Sequence, residues 1–250
     1  MNSPAKRPLA LLHGWGLDSR VWEALLPHLT PHFSVTRLQL PGYPGRPDGA
    51  DSVAATADAL LADVPEGALL LGWSLGGQLA QLMAARAPKR IAGLVLVATS
   101  PRFLAGNGWN AGQPASLLGG FSAAVSLAPG PVLPRFATLM NQGDSLAKDI
   151  NRQLAPLTKP PLAEKAALLR GLDWLRDLDL RALAPKLPQP ALVIHGEADP
   201  LMPVEAARWL AAQLPHGQLQ LMAEAAHTPF LHDPAAFAGL VQAWAEGLPA

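Results

Sequence analysis

The stretch Ala68-Leu69-Leu70-Leu71-Gly72-Trp73-Ser74-Leu75-Gly76-Gly77 decides how this chain folds. Its first half is a short continuous apolar run, the pattern of a strand buried on both faces of a sheet. It runs into Gly-x-Ser-x-Gly, and residues 76–87 then carry helical spacing. A strand that turns directly into a helix around a serine strains the serine backbone, and glycines two residues either side leave room where a Cβ would collide. The hydroxyl is thereby lifted over the carboxyl edge of the sheet. The adjoining helix N-terminus adds its dipole and unpaired N–H groups, which favour a developing negative charge. Ser74 is the expected nucleophile.

Outward from this turn, apolar runs recur at 9–12, 34–40, 94–98, 191–195 and 218–222. They are bounded by Gly or Pro and separated by amphipathic stretches such as 52–63 and 76–87, which predicts βαβ units. The expected fold class is α/β, a mostly parallel sheet with helices on both faces. Between Thr99 and Pro190 the β-type runs vanish. The expected organisation is therefore a core of residues 1–100 and 190–250 interrupted by a helical lid at 101–189. Its candidate helices are 131–141, 145–155 and 161–176; residues 102–131 are rich in Gly, Ala, Ser and Pro. Most of the apolar residues of these helices are expected to pack against the core, and the surplus to line a pocket.

The composition narrows the function classes. Of 250 residues half are apolar and 15% charged, which excludes a disordered chain. Nineteen basic residues balance nineteen acidic ones, so no overall field attracts nucleic acid or a membrane surface. With no cysteine, disulfides, thiolate nucleophiles and thiolate metal sites are excluded. Residues 1–10 hold too short an apolar run for a signal-peptide core or a membrane span, so a cytoplasmic protein is expected, and a monomer.

A serine hydroxyl is a weak nucleophile without a base, and the base needs a carboxylate to orient it. Asp199 follows the run 191–195 in Gly196-Glu197-Ala198-Asp199-Pro200, and His227 follows the run 218–222 in Ala225-Ala226-His227-Thr228-Pro229. Each falls in a loop at the carboxyl end of a strand, where sheets of this class place their sites. Glu197 is the nearest rival acid; Asp173, Asp177 and Asp179 precede the last strands and are expected on the surface. His195 is expected to be a satisfied structural residue, and His28, His32, His216 and His232 to occupy surface turns or helices. A tetrahedral intermediate needs two N–H donors, expected from the backbone of Leu75 and of Trp15 in Leu12-His13-Gly14-Trp15-Gly16. His13 is expected to brace that loop without touching substrate. No metal or organic cofactor is required.

The segments Leu11-Leu12-His13-Gly14-Trp15-Gly16-Leu17, Leu71-Gly72-Trp73-Ser74-Leu75-Gly76-Gly77 and Ala225-Ala226-His227-Thr228-Pro229-Phe230 together resemble the α/β-hydrolase superfamily. Within it, the tryptophans at 15 and 73 are most similar to the methyl ester esterases of biotin biosynthesis. That resemblance implies a serine carboxylesterase that removes the methyl group from pimeloyl-acyl carrier protein methyl ester. It implies a substrate site formed by Trp15, Ser74, Leu75 and His227 with Phe136, Ala137, Thr138, Leu139 and Met140. It also implies docking of the acidic carrier protein on Arg135, Lys148 and Arg152. A general short-chain carboxylesterase, a lactonase or a carbon–carbon bond hydrolase has the same serine machinery. A non-catalytic binding protein on this scaffold is the alternative of a different class.

Overall fold

A computed structural model describes residues 6–49 and 52–249; the reading of residues 1–10 therefore lies partly outside the described residues. Among them, six strands follow the six apolar runs: β1 (Arg7–Leu12), β2 (Phe33–Leu38), β3 (Ala68–Trp73), β4 (Ile91–Val97), β5 (Ala191–Gly196) and β6 (Gly217–Met222). They form one sheet in the order β2-β1-β3-β4-β5-β6, with every neighbouring pair parallel. The central β3 and β5 are buried at every residue, which is why they read as continuous apolar runs. The edge strands β2 and β6 keep exposed positions.

The helices are α1 (Leu26–Leu29), α2 (Val53–Leu61), α3 (Leu75–Arg86), α4 (Ala115–Leu127), α5 (Pro129–Met140), α6 (Ala147–Leu154), α7 (Lys165–Asp177), α8 (Val204–Gln213), α9 (Pro229–His232) and α10 (Pro234–Glu246). Right-handed crossovers fix their faces. The chain steps from β1 outward to β2 and then back across β1 to β3, so α1 lies on the face opposite α2, α3 and α8. The packing agrees, with α1 against α10 and α2 against α3. Local chemistry starts the helices: the Ser52 hydroxyl accepts from the Ala55 amide ahead of α2, and Asp233 accepts from Ala236 ahead of α10. Among the described residues no helix is long and apolar enough to cross a membrane.

Between β4 and β5 the chain forms α4 to α7 and no strand of the sheet. Helices α5, α6 and α7 occupy the three candidate stretches, and α4 lies in 102–131, outside them. Gly119 and Gly120 sit inside α4, and each disfavours a helix by about 1 kcal/mol relative to alanine. Packing overrides that preference: α4 lies against α5 and α7 and buries Leu118 and Val125.

The strand order reverses between β1 and β3, which opens a crevice at their carboxyl ends. Gly76 closes its floor. A Cβ built there would lie 2.5 Å from the carbonyl oxygens of Leu12 and His13, so only glycine lets α3 approach the end of β1 this closely. Gly76→Ala is expected to destabilise the fold by roughly 1–3 kcal/mol, because both obstructing atoms are backbone and cannot rotate away. A drop in the urea unfolding midpoint at unchanged slope checks this.

Candidate active site

Ser74 stands between β3 and α3 with φ 56° and ψ −122°, a left-handed conformation that side chains rarely adopt. Hydrogen bonds hold it there. Its amide donates to Val97 O at 2.9 Å, and its carbonyl accepts from Gly77 N at 2.9 Å and from the Thr99 hydroxyl at 2.8 Å. The side chain is thereby turned toward the loops that follow β5 and β6.

From those loops come two groups that meet it. His227 Nε2 lies 3.0 Å from Ser74 Oγ, and His227 Nδ1 lies 2.7 Å from Asp199 Oδ2. The other carboxylate oxygen, Asp199 Oδ1, accepts from the amides of Leu201 at 2.8 Å and Met202 at 2.9 Å. Asp199 therefore has one oxygen left for the imidazole, which fixes the proton on Nδ1 and turns the Nε2 lone pair toward the serine hydroxyl. All three residues are buried, so these contacts lie away from bulk water. The His227 carbonyl accepts from Trp73 Nε1 at 2.8 Å, a role for Trp73 that its place beside the serine did not reveal.

A sequence profile of the alpha/beta hydrolase family matches residues 9–240. The chain belongs to that family. A pimeloyl-[acyl-carrier protein] methyl ester esterase of Aromatoleum aromaticum is 40% identical over 97% of this chain and 98% of its own length. One from Serratia marcescens is 40% identical over 96% and 94%. Among solved structures, an esterase from Exiguobacterium antarcticum superposes with a TM-score of 0.88 at 19% identity, over 97% of this chain and 93% of that one. A hydrolase from Pseudomonas aeruginosa does so with a TM-score of 0.80 at 27% identity, over 98% and 92%.

In this alpha/beta hydrolase the loop after β1 lies against the serine: a Cβ on Gly14 would stand 3.0 Å from Ser74 Cβ. Two contacts brace that loop. His13 Nδ1 donates to Gly14 O at 2.9 Å while its Nε2 accepts from Leu40 N at 3.1 Å, and the Gly16 amide donates to the Tyr43 hydroxyl at 3.1 Å. Leu40 and Tyr43 carried no local signal; they matter because the loop after β2 happens to close over this one. Burial pushes His13 down to about 4, so it is neutral, as its acceptor role requires. Leu75 is the first residue of α3, where amides have no acceptor within the helix.

A narrow apolar cavity of about 20 Å³ adjoins Ser74, walled by Trp15, Phe103, Leu118, Phe121, Phe136, Leu172, Leu175 and Leu201. Trp15 is locked in its wall by a 2.8 Å bond from Nε1 to Leu168 O and an edge contact to Phe136. Of the stretch 136–140, only Phe136 faces this cavity. Leu139 lines a separate outer groove of about 470 Å³, Thr138 is exposed and donates back to Pro134 O, and Ala137 and Met140 are buried. The correction follows from helical geometry, since consecutive residues of α5 point about 100° apart and cannot share one wall. Phe103, Leu118, Phe121, Leu172, Leu175 and Leu201 come from four other segments, and nothing in their local sequence set them apart from core residues.

The rival groups fall elsewhere. Glu197 is exposed; Asp173 and Asp177 pair with Arg176, and Asp179 with Arg102 and Arg181. His28, His32 and His216 are exposed. His232, in α9, is half-buried: its Nδ1 lies 2.8 Å from Asp144 Oδ1 in the helical segment. His195 is only half satisfied, with Nε2 2.7 Å from Met202 O and Nδ1 without a partner. Arg135, Lys148 and Arg152 are exposed, and Arg152 pairs with Asp149 at 2.7 Å within α6.

Buried His13 links stability to pH. Its folded value near 4 lies below the unfolded 6.5, so the unfolded chain takes up the proton first. Stability is complete above about pH 6.5 and falls by up to about 3 kcal/mol as pH drops to 4. His195, also lowered by burial, acts in the same direction. Denaturant midpoints across this range are expected to show a shallower slope in His13→Asn than in the wild type, whatever the absolute stability of the variant.

Proposed function

We propose that this protein hydrolyses the methyl ester of pimeloyl-acyl carrier protein, with Ser74 as nucleophile, His227 as general base and Asp199 as its orienting acid. The observation that carries the chemistry is the unbroken relay from Asp199 through His227 to Ser74, at 2.7 and 3.0 Å, opening on an apolar cavity. The substrate is the one named for relatives 37–40% identical over most of the chain.

In the first step Ser74 Oγ attacks the ester carbonyl while its proton passes to His227 Nε2. The carbonyl oxygen becomes an oxyanion, held by the backbone N–H groups of Trp15 and Leu75; a donor of this kind contributes roughly 3 kcal/mol to the transition state. Asp199 stabilises the imidazolium without taking its proton. Collapse expels methanol, protonated by His227, and leaves the acyl group on Ser74. Water then loses a proton to the freed Nε2 and attacks the acyl carbon; the bond to Ser74 Oγ breaks as His227 returns that proton to Oγ, and the free acid leaves as carboxylate.

An apolar wall suits the methylene chain that carries the ester, and the segment α4–α7 serves as the lid over it. The outer groove, bounded by Arg135 and separated from the inner cavity by Phe121, lies on the route to a carrier-bound substrate. Arg135, Lys148 and Arg152 supply positive charge for an acidic carrier; Lys148 and Arg135 are the stronger contributors, since Asp149 offsets Arg152.

Ser74→Ala is expected to lower kcat by on the order of 10⁵ to 10⁶ for both pimeloyl-carrier-protein methyl ester and a p-nitrophenyl ester, and to abolish fluorophosphonate labelling. Hydrolysis by that variant at the wild-type rate removes the assignment, and an unlabelled wild type points to a binding protein. Arg135→Glu combined with Lys148→Glu is expected to raise KM for the carrier-bound ester roughly tenfold, more at low salt, while KM for the small ester stays put. Equal effects on both esters would rule out carrier docking there.

A further inference from the structure

The loop that carries His227 is tied to the helical segment at four points. Ser145 N donates to Glu224 O at 3.1 Å, and Ala226 N donates to Asp144 Oδ2 at 2.8 Å. His227 N donates to Met140 O at 3.2 Å, and the Thr228 hydroxyl donates to Asn141 Oδ1 at 2.6 Å. Residues 224–228 are thus held by residues 140–145, at the end of α5 and in the loop beyond it.

We propose that Asn141 and Asp144 are positioning residues for the base, holding His227 against Ser74 and Asp199 from the helical segment. The inference rests on His227 being the base. Both side chains are buried and fully occupied. Asp144 Oδ1 accepts from Leu146 N and from His232 Nδ1, each at 2.8 Å, and Asn141 Nδ2 donates to Ala137 O at 2.9 Å and Asn151 Oδ1 at 3.0 Å. A carboxylate with no exposed surface is costly to bury, and here three N–H donors compensate it. One of those donors is the amide adjoining the base. None of these side chains walls the cavity beside Ser74, so neither is placed to touch the acyl chain.

The geometry shows why the anchor acts on the imidazole. Trp73 Nε1 grips the His227 carbonyl from the strand side, and Met140 O grips its amide from the helical side. Between those two holds the ring has to span 3.0 Å to the serine and 2.7 Å to the aspartate. Flanking bonds at Ala226 and Thr228 remove the freedom of the peptide units on either side, and a slip of a fraction of an ångström lengthens one contact of the relay or the other. The helical segment is accordingly tethered at its α5 end.

The test uses the full chain, the small p-nitrophenyl ester and three variants: Asp144→Ala, Asp144→Asn and the near-isosteric Thr228→Val. Asp144→Ala is expected to lower kcat about tenfold or more with KM within about twofold, and Asp144→Asn, which retains one acceptor oxygen, to recover part of the loss. In the proton NMR spectrum, the downfield Nδ1–H resonance of His227 is expected to broaden in Asp144→Ala and sharpen again in Asp144→Asn. Thr228→Val, which removes one hydroxyl with little change in shape, keeps the test alive if Asp144→Ala does not fold; a several-fold lower kcat at unchanged KM is expected. Wild-type kcat with an unchanged resonance in folded variants overturns the proposal, as does a rise in KM alone or a loss of thermal stability without a loss of kcat. Activity persisting in His227→Ala would instead overturn the assignment of the base, a result distinguishable from all of these.

Discussion

The left-handed turn at Ser74 is the constraint on which the remaining architecture depends. A non-glycine residue in this conformation costs on the order of 1–3 kcal/mol and persists only where its surroundings over-determine it. Here the neighbouring strand supplies the Val97 carbonyl, the segment after that strand supplies the Thr99 hydroxyl, and the first turn of α3 supplies the Gly77 amide. The helix that begins there must run close under the end of β1, which only Gly76 permits. The strain therefore organises three elements around one hydroxyl, and the buried parallel sheet gives it a rigid base.

Polar groups at the site are arranged so that each has a single remaining task. Asp199 accepts two backbone amides on one oxygen, leaving the other to the imidazole. His13 is held neutral by burial and spends both ring nitrogens on the backbone, which keeps the loop bearing Trp15 in place without adding a charge beside the serine. Such full occupation removes the freedom a polar group would otherwise have to pair elsewhere, and it suits a low-dielectric site where an unpaired group is expensive.

The helical segment between β4 and β5 supplies much of the wall and part of the support. Phe121 and Phe136 meet Trp15 edge-on, and Leu168 accepts its indole N–H, so the apolar cavity beside Ser74 exists only when α4, α5 and α7 are docked on the loop after β1. The same segment reaches past the cavity to the loop of His227. The wall of the cavity beside Ser74 and the hold on the His227 loop thus come from one segment.

The six strands, the serine turn and the chain order Ser74, Asp199, His227 were legible in the sequence because they rest on local rules: apolar runs of strand length, glycines at fixed offsets, and polar residues just beyond strand ends. The same local reading missed α4, since Gly119 and Gly120 weaken a helix that α5 and α7 then stabilise. It placed the whole stretch 136–140 on the substrate, whereas the rotation of α5 sends Phe136 inward and Thr138 to solvent. It gave no sign that His232, half-buried in α9, bonds Asp144, 88 positions away. Sequence alone determines what each strand, turn and cap must be, because those preferences reside in neighbouring residues. Only the tertiary structure decides which distant side chains wall the cavity and which hold the His227 loop, because those contacts join segments far apart in the chain through packing that no local pattern encodes.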